Sequence, residues 1–98
     1  MYGTIARLHP DPDHLDELLA LGKTMMEGVQ PAGYRASYVF RPDENPYDRP
    51  TMFLVAIFDD EATYRANASS PDQDARYREL RALLTDDPDW TDGTFLGG

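Results

Sequence analysis

Two arginines lie within predicted β-strands, where a permanent positive charge needs an explanation. Arg7 and Arg35 have largely apolar neighbours along their strands. A guanidinium that leaves water needs an anion, so each side chain either points into a cavity or lines a sheet face that a partner covers. The anion would be a ligand or a carboxylate, for which Glu27, Asp43 and Glu44 are the candidates. Arg7 and Arg35 are therefore candidate substrate-binding residues.

Tyr38 is a binding candidate of another kind, because its ring could stack against a flat ligand. In the predicted strand over residues 34–41, strict alternation places Tyr34, Ala36, Tyr38 and Phe40 on one face. The small side chain of Ala36 leaves room beside the Tyr38 ring, and ordinary strand packing is the alternative. Tyr38 is therefore also a candidate substrate-binding residue.

The sequence offers little metal or nucleophile chemistry. It contains no cysteine, which excludes thiolate ligands, thiolate nucleophiles and disulfides. His9 and His14 share no ligand-like spacing, and the carboxylates of residues 86–89 lack the glycine and the spaced ligands of a calcium loop. We expect no bound metal.

Length and charge restrict the class of protein. The 98 residues are enough for one domain, predicted over residues 1–98, and the formal net charge is −9. That charge should repel nucleic acid and anionic membranes, so neither is expected as a partner. Neither a leader-like segment nor an apolar run of membrane-spanning length is found, and we expect a soluble, cytoplasmic protein.

Hydrophobic periodicity predicts the elements that position these residues. The first half has a strand over residues 2–8, a helix over 13–28 and a strand over 34–41. The second half has a strand over 51–58, a short helix from the acidic residues 59–61 to 68, and a helix from the Ser70 N-cap to 84. Trp90 and the short run 94–96 indicate a last strand. Strand, helix, strand, strand, helix, strand is the order of the split βαβ, ferredoxin-like α+β fold, which has an antiparallel sheet.

The third predicted strand, residues 51–58, is an almost unbroken apolar run. Such a run is expected where both faces of a sheet are covered. Two helices packed on one side of so small a sheet leave its other side open. A second, identical subunit would cover it, so the run predicts a homodimer.

Residues 53–67, FLVAIFDDEATYRAN, continue with Ser70-Pro71 and then YRELRALL over residues 77–84. In order and spacing they resemble the strand, acidic turn, tyrosine-bearing helix and final helix of the antibiotic biosynthesis monooxygenase family. The resemblance covers nearly the whole chain. It implies a ferredoxin-like domain that pairs through its sheet into a dimeric α/β barrel.

The resemblance also implies a function and site residues. In one branch of that family, small aromatic polyketides are oxidised by molecular oxygen without metal or flavin, so no cofactor is expected. The family's helix tyrosine resembles Tyr64, and an arginine on the next helix resembles Arg81; these two would be catalytic and hydrogen-bond a phenolate. Leu54 and Phe58 fall where that branch has asparagine and tryptophan, and Asn67 lies in the region where a haem-degrading branch has its histidine. These three are predicted to bind substrate.

Two functions remain open at this point. The first is a cofactor-free monooxygenase acting on a small aromatic or quinol-like substrate between sheet and helices, which requires a cavity with polar groups at its wall. The second is a non-catalytic dimeric module that binds a small molecule or serves a structural role. The second predicts a cavity without a perturbed acid or base.

Overall fold

Residues 1–97 are described by the computed structural model, and within them three α-helices and four strands follow one another in the predicted order. The elements are β1 (Tyr2–Leu8), α1 (Leu15–Glu27), β2 (Tyr34–Phe40), β3 (Met52–Phe58), α2 (Glu61–Ala68), α3 (Pro71–Arg81) and β4 (Asp89–Thr94). A single 3-10 turn over Pro12–His14 leads into α1. None of these helices is long and apolar enough to cross a bilayer.

The four strands form one sheet in the order β2-β3-β1-β4, with every neighbouring pair antiparallel. This is the ferredoxin-like α+β arrangement, and the predicted fold class is confirmed. The helices cover one face, where Leu18 of α1 and Leu80 of α3 join the buried cluster around Ala6, Leu8 and Met52. The core therefore lies between the helices and one side of the sheet.

Two of the helices begin at the caps that the sequence predicts. The Asp60 side chain accepts a hydrogen bond from the Thr63 backbone N–H at 2.8 Å, at the start of α2. The Ser70 hydroxyl accepts one from Gln73 N–H at 3.2 Å, and Pro71 occupies the first turn of α3. These bonds satisfy amides that have no partner within the helix. They fix where α2 and α3 start.

Strand β2 contains an irregularity that strict alternation cannot predict. Its register shifts between Tyr34 and Ala36, so that Tyr34 pairs with Phe58 while Ala36 pairs with Ile57. A bulge of this kind adds one residue and reverses the alternation of side chains. The prediction that Tyr34 shares a face with Tyr38 is therefore wrong, since Tyr34 lies on the helix-covered side.

The last strand also differs from its prediction. β4 spans Asp89–Thr94, so it includes Trp90 but ends before Phe95 and Leu96, and it pairs with β1 from Tyr2↔Thr94 to Arg7↔Asp89. It is an edge strand whose residues are all exposed. Backbone pairing, rather than an apolar pattern, holds it in place.

The face of the sheet turned away from the helices, called the open face below, is apolar. Within residues 1–97 it is left largely uncovered, with Tyr38 59% and Phe40 57% exposed. Its apolar residues are Ile5, Ala36, Tyr38, Phe40, Phe53, Val55 and Ile57. This patch lies on the side of the sheet that the predicted second subunit would cover.

Candidate functional site

A cavity of about 400 Å³ lies between the helix-covered face of the sheet and the helices. Its floor includes Thr4, Ser37 and Ala56, which stand side by side because Ala56 pairs with both Thr4 and Ser37. Side chains this small cannot reach the helices above them. The space between these three residues and the helices therefore remains unfilled.

The walls of the cavity are mainly apolar and aromatic. Helix α1 contributes Met25 and Met26, and α3 contributes Tyr77, whose ring centroid lies 6.3 Å from that of Trp90 on β4. Other residues that line it are Gly22, Gln30, Pro31, Tyr34, Val39, Leu54, Phe58, Tyr64, Asn67, Ala68, Gln73, Asp74, Arg76 and Leu80. Such a lining suits a flat organic molecule.

Tyr64 lines the cavity, and its hydroxyl is held by a hydrogen bond. Its ring packs against Phe58 and Tyr2, with centroids 5.7 and 5.4 Å away, and its hydroxyl donates to Asp92 Oδ1 at 2.7 Å. Burial, followed by the hydrogen bond to Asp92, raises the pKa of Tyr64 to about 12. Tyr64 is therefore a protonated hydroxyl at neutral pH.

Asp92 joins Tyr64 to Arg65, and the three form what we call the Tyr64–Asp92–Arg65 network. Arg65 Nη1 donates to Asp92 Oδ2 at 3.0 Å, and Arg65 Nη2 donates to the Tyr2 hydroxyl at 2.8 Å. The hydrogen bond from Tyr64 is the main reason that the pKa of Asp92 lies below its ordinary value, and Arg65 adds to the effect. Asp92 is therefore ionised at neutral pH and holds the Tyr64 hydroxyl in one orientation.

The network can do two things for a bound phenol. While the Tyr64 proton points at Asp92, the lone pairs of the hydroxyl can accept a hydrogen bond from a ligand O–H. If the ligand becomes a phenolate, the Tyr64 hydroxyl can turn and donate to it. The network can thus orient a ligand hydroxyl and steady its anion.

A short segment before β2 fixes the position of α2. Gly33 has φ +80°, and a Cβ built on it would lie 2.4 Å from Thr63 Oγ1. Asp59 N–H also donates to the Gly33 carbonyl at 2.8 Å. Only glycine adopts this φ without strain and also allows so close an approach. Because Thr63 precedes Tyr64, this contact helps to place the tyrosine.

Four of the predicted site residues lie together at the cavity: Leu54, Phe58, Tyr64 and Asn67. Leu54 and Phe58 come from β3, and the other two come from α2, one helical turn apart. Their roles in catalysis and binding remain predictions. What the structure adds is that all four line one and the same cavity.

The other four, Arg7, Arg35, Tyr38 and Arg81, are not among the residues of the described chain that line the cavity. Arg81 pairs with Asp87 at 2.6 Å on the far side of α3. Tyr38 lies on the open face, because the bulge in β2 turns it away from the helices. Neither side chain meets Tyr64.

The two strand arginines have carboxylate partners other than those expected from the sequence. Arg7 Nη2 donates to Asp89 at 2.9 Å, with its guanidinium over the Tyr47 ring. Arg35 donates to Asp59 at 2.7 Å. Glu27, Asp43 and Glu44 are not the partners. The anions are instead Asp89 and Asp59, which are far from Arg7 and Arg35 in the sequence.

Sequence reasoning missed the most polar part of the site. Asp92 lies 28 residues from Tyr64, and nothing in the local sequence links them. A weak signal was present, because Trp90 and Asp92 are two residues apart and therefore share a face if the segment is a strand. In residues 1–97, no group of three or more His, Asp or Glu side chains is arranged to hold a metal ion.

Comparisons with known proteins agree with this architecture. A sequence model for antibiotic biosynthesis monooxygenase matches residues 1–79. Among curated proteins, none matches the sequence significantly.

Solved structures share the fold over nearly the full chain. A conserved protein from Methanosarcina mazei Go1 superposes with a TM-score of 0.78 at 17% identity, covering 94% of this chain and 89% of that one. Rv0793 from Mycobacterium tuberculosis superposes with a TM-score of 0.76 at 21% identity, covering 99% of this chain and 96% of that one. SnoaB, a cofactor-independent oxygenase from Streptomyces nogalater, superposes with a TM-score of 0.70 at 17% identity, covering 99% of this chain and 94% of that one. At these identities the likeness shows a common fold.

Proposed function

The chain belongs to the antibiotic biosynthesis monooxygenase family, and we propose that it is a cofactor-free monooxygenase of small aromatic or quinol-like substrates. The observation that carries this proposal is the cavity of about 400 Å³ lined by Tyr64, whose hydroxyl Asp92 holds. This volume lies within the range of roughly 300–1,000 Å³ typical of small-molecule sites. The similarity to SnoaB, itself a cofactor-independent oxygenase, supports the same reaction class.

In such a reaction the substrate supplies the electrons that reduce dioxygen. A phenolate ring carbon forms a bond to O₂, and the resulting peroxide takes up the proton that the phenol released, giving a hydroperoxide on that carbon. The hydroperoxide then loses water as its O–O bond breaks and the ring C–H proton leaves. One oxygen atom ends in the quinone carbonyl and the other in water, so the atoms and electrons balance.

The chain's own contribution would be to hold the phenol and stabilise its anion. Tyr64 accepts a hydrogen bond from the substrate hydroxyl while its own proton is donated to Asp92, and it turns that proton toward the phenolate once the anion forms; Arg65 keeps Asp92 in place. The mainly apolar walls would limit the access of bulk water to the reactive carbon, which strengthens these electrostatic interactions.

Oxygen consumption with hydroxyquinol and anthrone substrates tests the proposal. We expect Tyr64→Phe to lower kcat by about 10²-fold, the usual size of a lost proton-transfer or anion-stabilising group. Tyr47→Phe is the matched control, because its hydroxyl lies outside the cavity lining, where Arg7 Nη1 donates to it at 3.5 Å. Equal turnover by wild type and Tyr64→Phe contradicts the role of Tyr64.

A second function is favoured by a specific observation, namely that no member of the network has a pKa moved toward neutrality. The pKa of Tyr64 is raised to about 12 and that of Asp92 is lowered. Leu54 and Phe58 add no hydrogen-bonding group to the floor. A non-catalytic dimeric module that binds the same aromatic molecules fits these facts. It predicts binding without oxygen uptake.

The proposed active form is a homodimer closed over the open face. The apolar patch of that face includes Tyr38 and Phe40, both more than half exposed in the single chain. Contiguous apolar patches of this kind mark association surfaces in soluble proteins. A second copy covering it would bury the third strand on both sides, as the apolar run over residues 51–58 predicts.

Light scattering at micromolar concentration checks the dimer. We expect about twice the chain mass, and we expect Val55→Asp to give the single-chain mass, because burying an unpaired charge costs several kcal/mol. The matched control is Val29→Asp, since Val29 is 96% exposed on the loop after α1. A monomeric wild type, or a dimer that survives Val55→Asp, contradicts this interface.

A further inference from the structure

Arg76 stands out among the basic side chains of the described chain. Of the arginines and lysines within residues 1–97, only Arg41 and Arg76 have no carboxylate oxygen within 4.0 Å. Arg41 is exposed at the end of β2. Arg76 is half-buried and lines the cavity. It is therefore a positive charge without a protein anion, at the edge of a ligand-sized space.

The surroundings of Arg76 are rich in hydrogen-bond donors. Gln73 Oε1 accepts from Arg76 Nε at 3.3 Å and from Asn67 Nδ2 at 3.5 Å. These two bonds use the amide oxygen of Gln73 and leave its NH₂ group for another partner. The two terminal nitrogens of Arg76 make no hydrogen bond within residues 1–97. Asn67, Gln73 and Arg76 thus present donors to the cavity.

Arg76 also marks the place where the cavity meets the outside. A second, more open cleft of about 410 Å³ lies beside the cavity. Four residues line both spaces: Gln30, Pro31, Asn67 and Arg76. A ligand that fills the cavity with its aromatic part would therefore have its outer end at these donors.

Two carboxylates near Arg76 do not take the place of a ligand. Asp74 lines the cavity but pairs with Arg78 at 2.9 Å. Asp72 lies one helical turn before Arg76 and lines the cleft, yet has no oxygen within 4.0 Å of it. An exposed pair at this helical spacing is weak, so Asp72 is a poor competitor for a ligand anion.

We infer that the cavity takes aromatic acids, with the ligand hydroxyl at Tyr64 and the ligand carboxylate at Arg76, Gln73 and Asn67. Arginine binds a carboxylate through two parallel N–H···O bonds, a geometry that a neutral ester cannot match. The net charge of −9 does not steer anions toward the protein, so selection depends on this local contact. The inference rests on the proposed function only for the place where the ligand binds.

The probe is 6-hydroxy-2-naphthoate, compared with its methyl ester, which removes the charge and keeps the rings and the hydroxyl. We expect the acid to bind wild type about tenfold more tightly or better by calorimetry, as a charge-assisted pair usually gives. Trp90, the sole tryptophan, lines the cavity, so a change in its fluorescence reports that the probe occupies it.

Variants test the assignment to Arg76. Arg76→Met should bring the ratio of acid to ester affinity close to one, and Arg76→Lys should restore part of it. Arg41→Met is the matched control, because it removes the other unpaired positive charge without touching the cavity, and it should keep the wild-type ratio. Melting temperatures of all variants establish that each is folded.

Several results overturn the inference: equal affinity of wild type for acid and ester, no binding of either, or a preference that Arg76→Met retains. If Arg76→Met does not fold, the wild-type comparison still tests the preference for the acid, and Arg76→Lys tests its assignment to Arg76. A tenfold preference for the acid without oxygen uptake supports the inference while rejecting the oxygenase. Oxygen uptake without a preference for the acid over the ester supports the oxygenase while rejecting the inference.

Discussion

The two ends of the helix-covered sheet face use the same pair of central strands in opposite ways. At one end Leu8 of β1 pairs with Met52 of β3, and both are buried against Leu80 of α3. Toward the other end, four residues earlier along β1, Thr4 pairs with Ala56 and the cavity lies above them. The helices continue over both ends, so the size of the strand side chains decides whether space is filled.

This difference shows how a small domain can have a stable core and a cavity on the same face. Large side chains in one row give close packing and most of the hydrophobic stabilisation. Small side chains in another row, here Thr4, Ala56 and Ser37, leave room for a ligand at little cost to the fold. Stability and binding should therefore respond to different substitutions.

The largest expected effect is at the packed end. Leu8 is 3% exposed, and Leu8→Ala should lower the free energy of unfolding by about 2–5 kcal/mol, because it removes buried methyl groups and leaves a void. Thr4→Ala at the cavity end should cost about 1 kcal/mol, for the lost hydrogen bond to the Thr91 carbonyl at 3.2 Å. Urea unfolding of both variants measures the contrast, and equal losses would remove the distinction between the two ends.

Filling the cavity should separate binding from stability. Ala56→Leu extends a side chain into the unfilled space, so we expect a stability change within about 1 kcal/mol. The affinity of naphthoate probes should fall at least about tenfold, since the added side chain occupies their site. Ala75→Leu on the exposed surface of α3 is the matched control and should bind normally. A marked loss of stability in Ala56→Leu would mean that this end is already well packed.

The smallest effect concerns the pH dependence at the cavity end. Because the folded-state pKa of Asp92 lies below its ordinary value, chiefly through the Tyr64 hydrogen bond, ionised Asp92 stabilises the fold above about pH 4. This contribution is lost as the pH falls through the lowered pKa. Wild type should therefore exceed Asp92→Asn in stability by a constant amount near neutrality. The difference should shrink below about pH 4 in unfolding experiments, and a difference that grows there has the wrong sign.

Local sequence signals predicted the elements that depend on local chemistry. The Ser70 and Asp60 caps and the order of strands and helices follow from residue types at fixed offsets, and the structure has them where expected. The antiparallel ferredoxin-like arrangement followed from that order. The placement of Leu54, Phe58 and Tyr64 around one space came from the family resemblance rather than from periodicity.

The remaining features depend on contacts between distant residues. The bulge between Tyr34 and Ala36 reverses the alternation of β2, and no residue type there signals it. Strand β4 is polar and includes Gly93, so it has no strand pattern of its own and forms by pairing with β1. Asp92 was missed for this reason. A sequence can indicate which side chains are able to bind, but strand pairing determines which of them meet.

One further consequence follows from the glycine that precedes β2. Since a methyl group at Gly33 would overlap the Thr63 side chain, positions 33 and 63 cannot vary independently. Gly33→Ala should displace the start of α2 and with it the hydroxyl that Asp92 orients, although neither Gly33 nor Thr63 lines the cavity. Catalytic geometry in this small fold would then be sensitive to a site that never touches the substrate.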